Sequence, residues 1–134
     1  MEAYTGNCLC GGVAFRVTGA LAPIQICHCC QCRHAQGTPF VTNIPVHADS
    51  LSFERGRELI REFESSSGKF RAFCSHCGSP VYSRLQARPG VFRIRAGLLN
   101  EPLETRPESH AYVDSRANWW PLEDALPKYP EARE

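Results

Sequence analysis

The chain has 134 residues, with 15 lysines and arginines against 14 aspartates and glutamates, so its formal net charge is +1. This balance provides no overall attraction for nucleic acid or for an anionic membrane. No stretch approaches the roughly 20 apolar residues that cross a bilayer, which excludes an integral membrane protein. The length suits one core, and we expect a single domain over residues 1–134.

Short alternating segments separated by turn residues predict a mainly β protein. The predicted strands, in chain order, are residues 12–17, 40–44, 51–54, 59–64, 70–73, 80–84 and 91–95. We expect Pro45 to close the second strand and residues 55–58 to form a hairpin-like connection. From Asn100 onward, frequent prolines predict an irregular C-terminal segment that wraps over the sheet, with at most a short helical turn at residues 122–126.

Eight cysteines are the strongest signal in the composition. The first residues, Met-Glu-Ala-Tyr-Thr, contain neither the basic nor the apolar part of a secretion signal. We therefore expect a reducing, cytoplasmic setting, in which thiols stay free or bind metal. The even number of cysteines also suits the disulfide framework of a secreted protein, and this alternative stays open at the level of the sequence.

The cysteines occur in three motifs, which are Cys8-Leu9-Cys10-Gly11-Gly12, Cys27-His28-Cys29-Cys30-Gln31-Cys32-Arg33-His34 and Cys74-Ser75-His76-Cys77-Gly78. A C-x-x-C pair presents two thiolates on one turn, close enough for two corners of a zinc tetrahedron. The glycine after it allows the backbone to turn with a positive φ. The first and third motifs each supply half of a four-coordinate site, so we expect one closed zinc site from Cys8, Cys10, Cys74 and Cys77.

The central motif supplies three thiolates, from Cys27, Cys29 and Cys32, within six consecutive residues. A compact loop can wrap three corners of a tetrahedron but does not readily supply a fourth. Three protein ligands and one open position are what a catalytic zinc needs. Two alternatives stay open: Cys30 could close the site as a fourth thiolate, or His28 or His34 could close it.

The order and separation of these motifs resemble the family of the glutathione-dependent formaldehyde-activating enzyme and centromere protein V. Three later segments carry the same resemblance, which are Ala-Gly-Leu-Leu at 96–99, His-Ala-Tyr-Val at 110–113 and Ala-Asn-Trp-Trp-Pro at 117–121. The resemblance implies small twisted β-sheets in a tent-like arrangement, stapled by zinc, with two zinc ions per chain. It also implies a structural zinc on Cys8, Cys10, Cys74 and Cys77, and a catalytic zinc on Cys27, Cys29 and Cys32.

The activity implied by the resemblance is that of a carbon–sulfur lyase, in which glutathione adds to formaldehyde. We therefore expect a small-molecule thiol or aldehyde as the partner, with no nucleic acid and no membrane. A zinc-stabilised, non-catalytic binding module is the alternative, but it would favour a basic stripe, and the chain has only two lysines. A thiol–disulfide oxidoreductase using Cys74 and Cys77 conflicts with pairing these cysteines to the first motif.

Several other residues are candidates for roles around the catalytic motif. His28 and His34 adjoin the cysteines, and a histidine is the usual proton-transfer group because its pKa lies near neutrality. A structural hydrogen bond beside a cysteinate is the alternative for His28. Arg33 could offset thiolate charge or bind a substrate carboxylate, and His110 could reach the site from the C-terminal segment.

Two further pairs have both a functional and a structural interpretation. Trp119 and Trp120 either line a ligand site or cover a sheet face. Arg93 and Arg95 fall on one face of a strand, either as an anion-binding pair or as a solvated surface.

Overall fold

The structure is a computed structural model that describes residues 3–133. Met1, Glu2 and Glu134, which belong to the predicted domain over residues 1–134, lie outside the described residues. The strands are β1 (Ala3–Asn7), β2 (Ala14–Thr18), β3 (Ile24–Cys27), β4 (Val41–His47), β5 (Leu51–Arg55), β6 (Ile60–Ser66), β7 (Lys69–Cys74), β8 (Pro80–Leu85), β9 (Val91–Arg95) and β10 (Pro107–Ala111). The one α-helix in this part of the chain, α1, spans Cys30–Gln36.

The strands form two sheets, one of three strands in the order β1-β2-β5 and one of seven in the order β10-β3-β4-β9-β8-β7-β6. Neighbouring strands are antiparallel except β10 and β3, which are parallel. This arrangement of small sheets confirms the predicted mainly β fold class. No helix within residues 3–133 has the length and apolar character needed to span a membrane.

The seven-stranded sheet has one apolar face and one cationic face. Three core residues pair in line across β7, β8 and β9, and these are Ala72, Tyr82 and Ile94. Phe15 and Val17 of the small sheet belong to the same core. Because side chains alternate along a strand, the neighbouring residues point to the opposite face. We call that side the cationic face and define it by Lys69, Arg71, Arg93 and Arg95.

Two predictions about the connections are wrong. Pro45 lies inside β4, not at its end. Since β3 pairs with β4 only as far as Asn43, β4 has a single strand neighbour at Pro45, and proline is tolerated in such a position. Residues 55–58 do not form a hairpin, since β5 pairs with β2 and β6 pairs with β7.

Gly56 carries the chain from the small sheet to the large one. Its φ is 80°, in the left-handed region, and a short 3-10 helix over Arg57–Leu59 follows it. A Cβ atom on Gly56 would lie 2.0 Å from the carbonyl oxygen of Gly12. The crossover therefore packs directly on the backbone of the first cysteine motif.

The C-terminal segment is mostly irregular, as predicted, but it contains β10, which the sequence did not reveal. This strand lies parallel to β3 and brings His110 beside Ile26, just before the second cysteine motif. Residues 122–126 form coil and bends, so the helical turn predicted there is absent from the described structure. The helix α1 inside the central motif was also missed.

Candidate functional site

The sulfur atoms of the first and third motifs meet in one cluster at the junction of the two sheets. All four lie within 4.8 Å of one another, and they belong to Cys8, Cys10, Cys74 and Cys77. The Cys10 sulfur lies 3.5 Å from that of Cys8 and 3.9 Å from that of Cys74. A zinc tetrahedron with Zn–S bonds of about 2.3 Å has S···S edges of about 3.8 Å. Donor type and spacing therefore fit a closed four-thiolate site.

Tight turns aim hydrogen-bond donors at these sulfurs. The backbone N–H of Gly12 donates to Cys10 Sγ and that of Val13 donates to Cys8 Sγ, each at 3.3 Å. In the third motif, hydrogen bonds from the side chain and backbone of Ser79 lower the pKa of Cys77 to about 5. Such bonds favour the thiolate form, which is the form that binds metal.

The central motif forms the second cluster, in which the sulfurs of Cys27, Cys29 and Cys32 also lie within 4.8 Å of one another. Cys27 ends β3, whereas Cys29 caps the N-terminus of α1 and accepts the Cys32 backbone N–H at 3.3 Å. Hydrogen bonds from Cys27 and Cys32 hold the pKa of Cys29 far below its usual value, whereas hydrogen bonds to Cys29 and Cys32 raise the pKa of Cys27. These bonds therefore favour a thiolate at Cys29, and the three soft sulfur donors of the cluster fit zinc.

Within residues 3–133, no fourth cysteine, histidine or carboxylate joins this group. Cys30 is exposed and lies in neither cluster. His34 is exposed in the last turn of α1. The cluster therefore has three protein donors, and one of its sides carries no protein ligand. That the cluster binds a metal ion stays a prediction.

The two clusters lie on opposite faces of the seven-stranded sheet. Cys74 alternates with Ala72 and lies on the apolar face, against the small sheet. Cys27 lies on the same side of β3 as Gln25. Gln25 pairs with Asn43 of β4, and Asn43 pairs with Arg95 of the cationic face, so Cys27 lies on that face. The sheet therefore separates the four-sulfur cluster from the three-sulfur cluster.

Arg71 contacts the three-sulfur cluster directly, and sequence analysis missed it. Its Nη1 and Nη2 atoms lie 3.7 and 3.6 Å from Cys32 Sγ, and its Nε donates to Ser65 Oγ at 3.0 Å. The side chain is 7% exposed. Three thiolates would outweigh a divalent zinc by one charge, and this guanidinium would offset the excess. The only sequence signal was the position of Arg71 in a predicted alternating strand.

A chain of hydrogen bonds links the central motif to the C-terminal segment. His28 Nε2 lies 2.8 Å from His110 Nδ1, and His110 Nε2 lies 2.8 Å from a carboxylate oxygen of Asp124. Both rings are buried, whereas the Asp124 side chain is 46% exposed. Burial, followed by the charge of His110, lowers the pKa of His28 to about 4. His28 is therefore neutral near pH 7.

This chain also orients the two rings. A carboxylate only accepts, so His110 Nε2 carries the hydrogen toward Asp124. A neutral His110 accepts the Nε2–H of His28 at Nδ1, whereas a protonated His110 donates from Nδ1 to His28 Nε2.

Other predicted residues lie around the cluster in structural contacts. Arg33 Nη1 donates to the backbone oxygen of Ser115 at 2.9 Å, which ties α1 to the C-terminal segment. Trp119 and Trp120 are 64% and 44% exposed, so they do not seal a sheet face. Trp120 packs edge-on against Phe40, whose ring in turn packs 5.2 Å from that of His28.

Comparisons with known proteins give one family match. The sequence profile described as "Glutathione-dependent formaldehyde-activating enzyme" matches residues 3–115, a range that contains all eight cysteines. An uncharacterized lyase of Schizosaccharomyces pombe is 32% identical over 82 residues, which are 61% of this chain and 58% of that protein. The match thus spans little more than half of the relative's length.

A crystal structure of a Rhodobacter sphaeroides protein shares the fold. Its TM-score is 0.61 at 21% sequence identity, with 76% of this chain and 97% of that chain covered.

Proposed function

We propose that this chain, which belongs to the family of the glutathione-dependent formaldehyde-activating enzyme, is a zinc-dependent carbon–sulfur lyase. It forms or breaks the bond between the sulfur of a small, glutathione-like thiol and the carbon of a formaldehyde-like aldehyde. The word lyase in the name of the yeast relative supports this reaction class. The observation that carries the proposal is the cluster of three sulfurs without a fourth protein ligand.

In this proposal the two clusters have separate tasks. Cys8, Cys10, Cys74 and Cys77 bind a structural zinc, and the three sulfurs of the central motif bind a second, reactive zinc. When bound there, zinc polarises an aldehyde oxygen or holds a thiol as its nucleophilic thiolate. We also propose a reducing, cytoplasmic setting, which the eight free thiols support.

The chain's own side chains prepare the site for this addition. During the reaction, a sulfur–carbon bond forms while the carbonyl π bond breaks, and the thiol proton ends on the former carbonyl oxygen. Arg71 offsets thiolate charge at Cys32, at 3.6 Å from the sulfur. The buried ring of His28, which lies between Cys27 and Cys29 in the sequence, packs against Phe40 with ring centroids 5.2 Å apart.

The test compares two adjacent cysteines. Cys29→Ser removes a donor from the three-sulfur cluster, so we expect zinc content to fall from two ions to one per chain. We expect turnover to fall by about 100-fold or more, since an incomplete donor set no longer holds the reactive metal. Cys30→Ser changes a neighbouring exposed thiol outside both clusters and serves as the matched control.

Turnover is measured with isotope-labelled formaldehyde and glutathione by NMR, above the spontaneous rate of addition. A fully active Cys29→Ser protein would refute the proposed role of the cluster. Wild-type protein with two zinc ions and no turnover of any thiol and aldehyde pair would instead favour a binding module.

A further inference from the structure

Arg95 lies on the strand midway between the two sides of the three-sulfur cluster. Cys27 enters the cluster from β3, and Arg71 contacts Cys32 from β7. Three strands separate β3 from β7 in the sheet, and β9, which carries Arg95, is the middle one. Because side chains from β3 and β7 meet at the same sulfurs, the cluster lies over the strands between them.

Arg95 also lies midway in the direction along the strands. Arg71 is level with Arg93, two residues before Arg95, because one residue of β8 pairs with both of them. The register of β4 with β3 and β9 places Cys27 level with position 97, two residues after Arg95. Arg71, Arg95 and Cys27 point to the same face, so the Arg95 side chain lies beneath the cluster.

The chain fixes one part of the Arg95 guanidinium and leaves another N–H unpaired. The side chain is 5% exposed, and its Nη1 donates to Asn43 Oδ1 and to Ser83 Oγ, the latter at 3.3 Å. Its Nε is buried and has no hydrogen-bond partner within the described residues. Buried donors are almost always paired, so this N–H beneath the cluster suits an acceptor that the chain does not supply.

Arg95 also brings a positive charge to this position. None of the ion pairs within residues 3–133 includes it. Burial lowers the pKa of Arg95 to about 10, whereas the charge of Cys32 raises it, so the guanidinium is protonated near pH 7. Three thiolates would give a divalent zinc site a net negative charge. The positive charge that a developing oxyanion needs is therefore better supplied by this guanidinium, which is poorly solvated.

We propose that Arg95 is a catalytic residue that donates its Nε–H to the aldehyde oxygen while the sulfur–carbon bond forms. As that bond forms, the electron pair of the carbonyl π bond moves onto the oxygen, which is negative until the thiol proton reaches it. A charged donor aimed at this oxygen stabilises the transition state more than the neutral aldehyde. This inference rests on the proposed function, and it places the thiol sulfur at the cysteines and the aldehyde oxygen toward the sheet.

The first test compares Arg95→Lys with Arg93→Lys, the same substitution two residues earlier on the same face of β9. Lysine keeps the positive charge but has no guanidinium Nε–H. In Arg95→Lys we expect kcat to fall by about 100-fold or more and KM to change by less than about threefold, because the donor acts in the transition state. Arg93→Lys should keep kcat within about threefold of the wild type. A similarly small change in Arg95→Lys overturns the inference.

A second readout distinguishes the oxygen from the sulfurs. In cobalt-substituted protein, the sulfur-to-metal charge-transfer band should keep its energy in Arg95→Lys, because Arg95 acts on the aldehyde oxygen. A lowered kcat together with a shifted band would assign Arg95 to the cysteine sulfurs and overturn the inference.

A test in zinc-loaded wild-type protein needs neither turnover nor a variant that folds. Formate is a one-carbon oxyanion without carbon–sulfur chemistry, and the Nε–H of Arg95 should donate to it. The NMR signal of that N–H should shift when formate is added, whereas the corresponding signal of Arg16, which is exposed on the small sheet, should not.

The two outcomes of the formate test separate this inference from the proposed function. The shift in a protein without turnover would retain an oxyanion-binding Arg95 and refute the lyase. Turnover without the shift would retain the lyase and overturn the inference, and absence of both would overturn the inference as well.

Discussion

His28 and His110 form a buried imidazole pair, with Nε2 of the first 2.8 Å from Nδ1 of the second. The two residues are 82 positions apart, and β10 brings them together by pairing alongside β3. Asp124 holds the far side of His110. The orientation of a ring inside the central cysteine motif therefore depends on the C-terminal segment.

His110→Ala should destabilise the fold more than Asp124→Ala. The first change leaves the buried Nε2 of His28 without its hydrogen-bond partner and opens a cavity, which costs about 2–3 kcal/mol in the free energy of unfolding. The second removes a half-exposed carboxylate that water replaces, at a cost of about 1 kcal/mol or less. Urea denaturation measures the loss in the free energy of unfolding for each of the two variants. Equal losses would contradict a structural role for the buried pair.

Cys74→Ser should abolish stable folding, because a structural zinc contributes its binding free energy directly to folding. Cys29→Ser, in the other cluster, should melt close to the wild type. Thermal melts followed by circular dichroism, with metal analysis of each protein, provide the measurement. If Cys74→Ser melted like the wild type, the four-sulfur cluster would not be the staple of this fold.

Arg71→Gln should make the Cys32 sulfur more electron-rich, since two N–H groups no longer face it. In cobalt-substituted protein the sulfur-to-metal charge-transfer band should move to lower energy. We expect kcat/KM to fall by about tenfold, in line with the loss of a hydrogen bond to a charged group. Arg71→Lys keeps the charge but loses the paired N–H donors. Its band energy and its kcat/KM should therefore lie between those of the wild type and those of Arg71→Gln. An unmoved band in Arg71→Gln would show that the guanidinium does not affect the metal site.

Gly56→Ala should destabilise the protein by more than about 2 kcal/mol, because alanine is strained at positive φ and its Cβ would clash with the Gly12 backbone. Gly90→Ala is the matched control, since a Cβ there meets no atom within 4 Å and its φ is not positive. The control should change the free energy of unfolding by less than about 1 kcal/mol. Similar urea midpoints for the two variants would contradict the packing described for the crossover.

Sequence alone predicted the features that are encoded locally. The spacing of Cys27, Cys29 and Cys32 sets three sulfurs on one turn, and alternation located most strands, because ligand spacing and strand period are short-range properties. Whether these sulfurs bind zinc stays a prediction.

The features that sequence did not reveal depend on long-range pairing. Arg71 reaches Cys32 from a strand 39 residues away, and nothing near either residue indicates that contact. Turn signals at residues 55–58 indicated a change of direction but not that the chain enters another sheet. Likewise, β10 lacks clear alternation, and it forms because β3 offers an edge beside it.

In the function proposed here, the placement of the two clusters on opposite sides of the seven-stranded sheet separates the half of the molecule that holds the fold together from the half that carries the reaction. On the outward side of β7 and β9, Arg71 and Arg95 are buried, whereas Lys69 and Arg93 are half-buried and lie away from the apolar core. Descendants of one ancestral scaffold could therefore acquire new chemical preferences by altering the half-buried positions, and drift in this lineage should concentrate there.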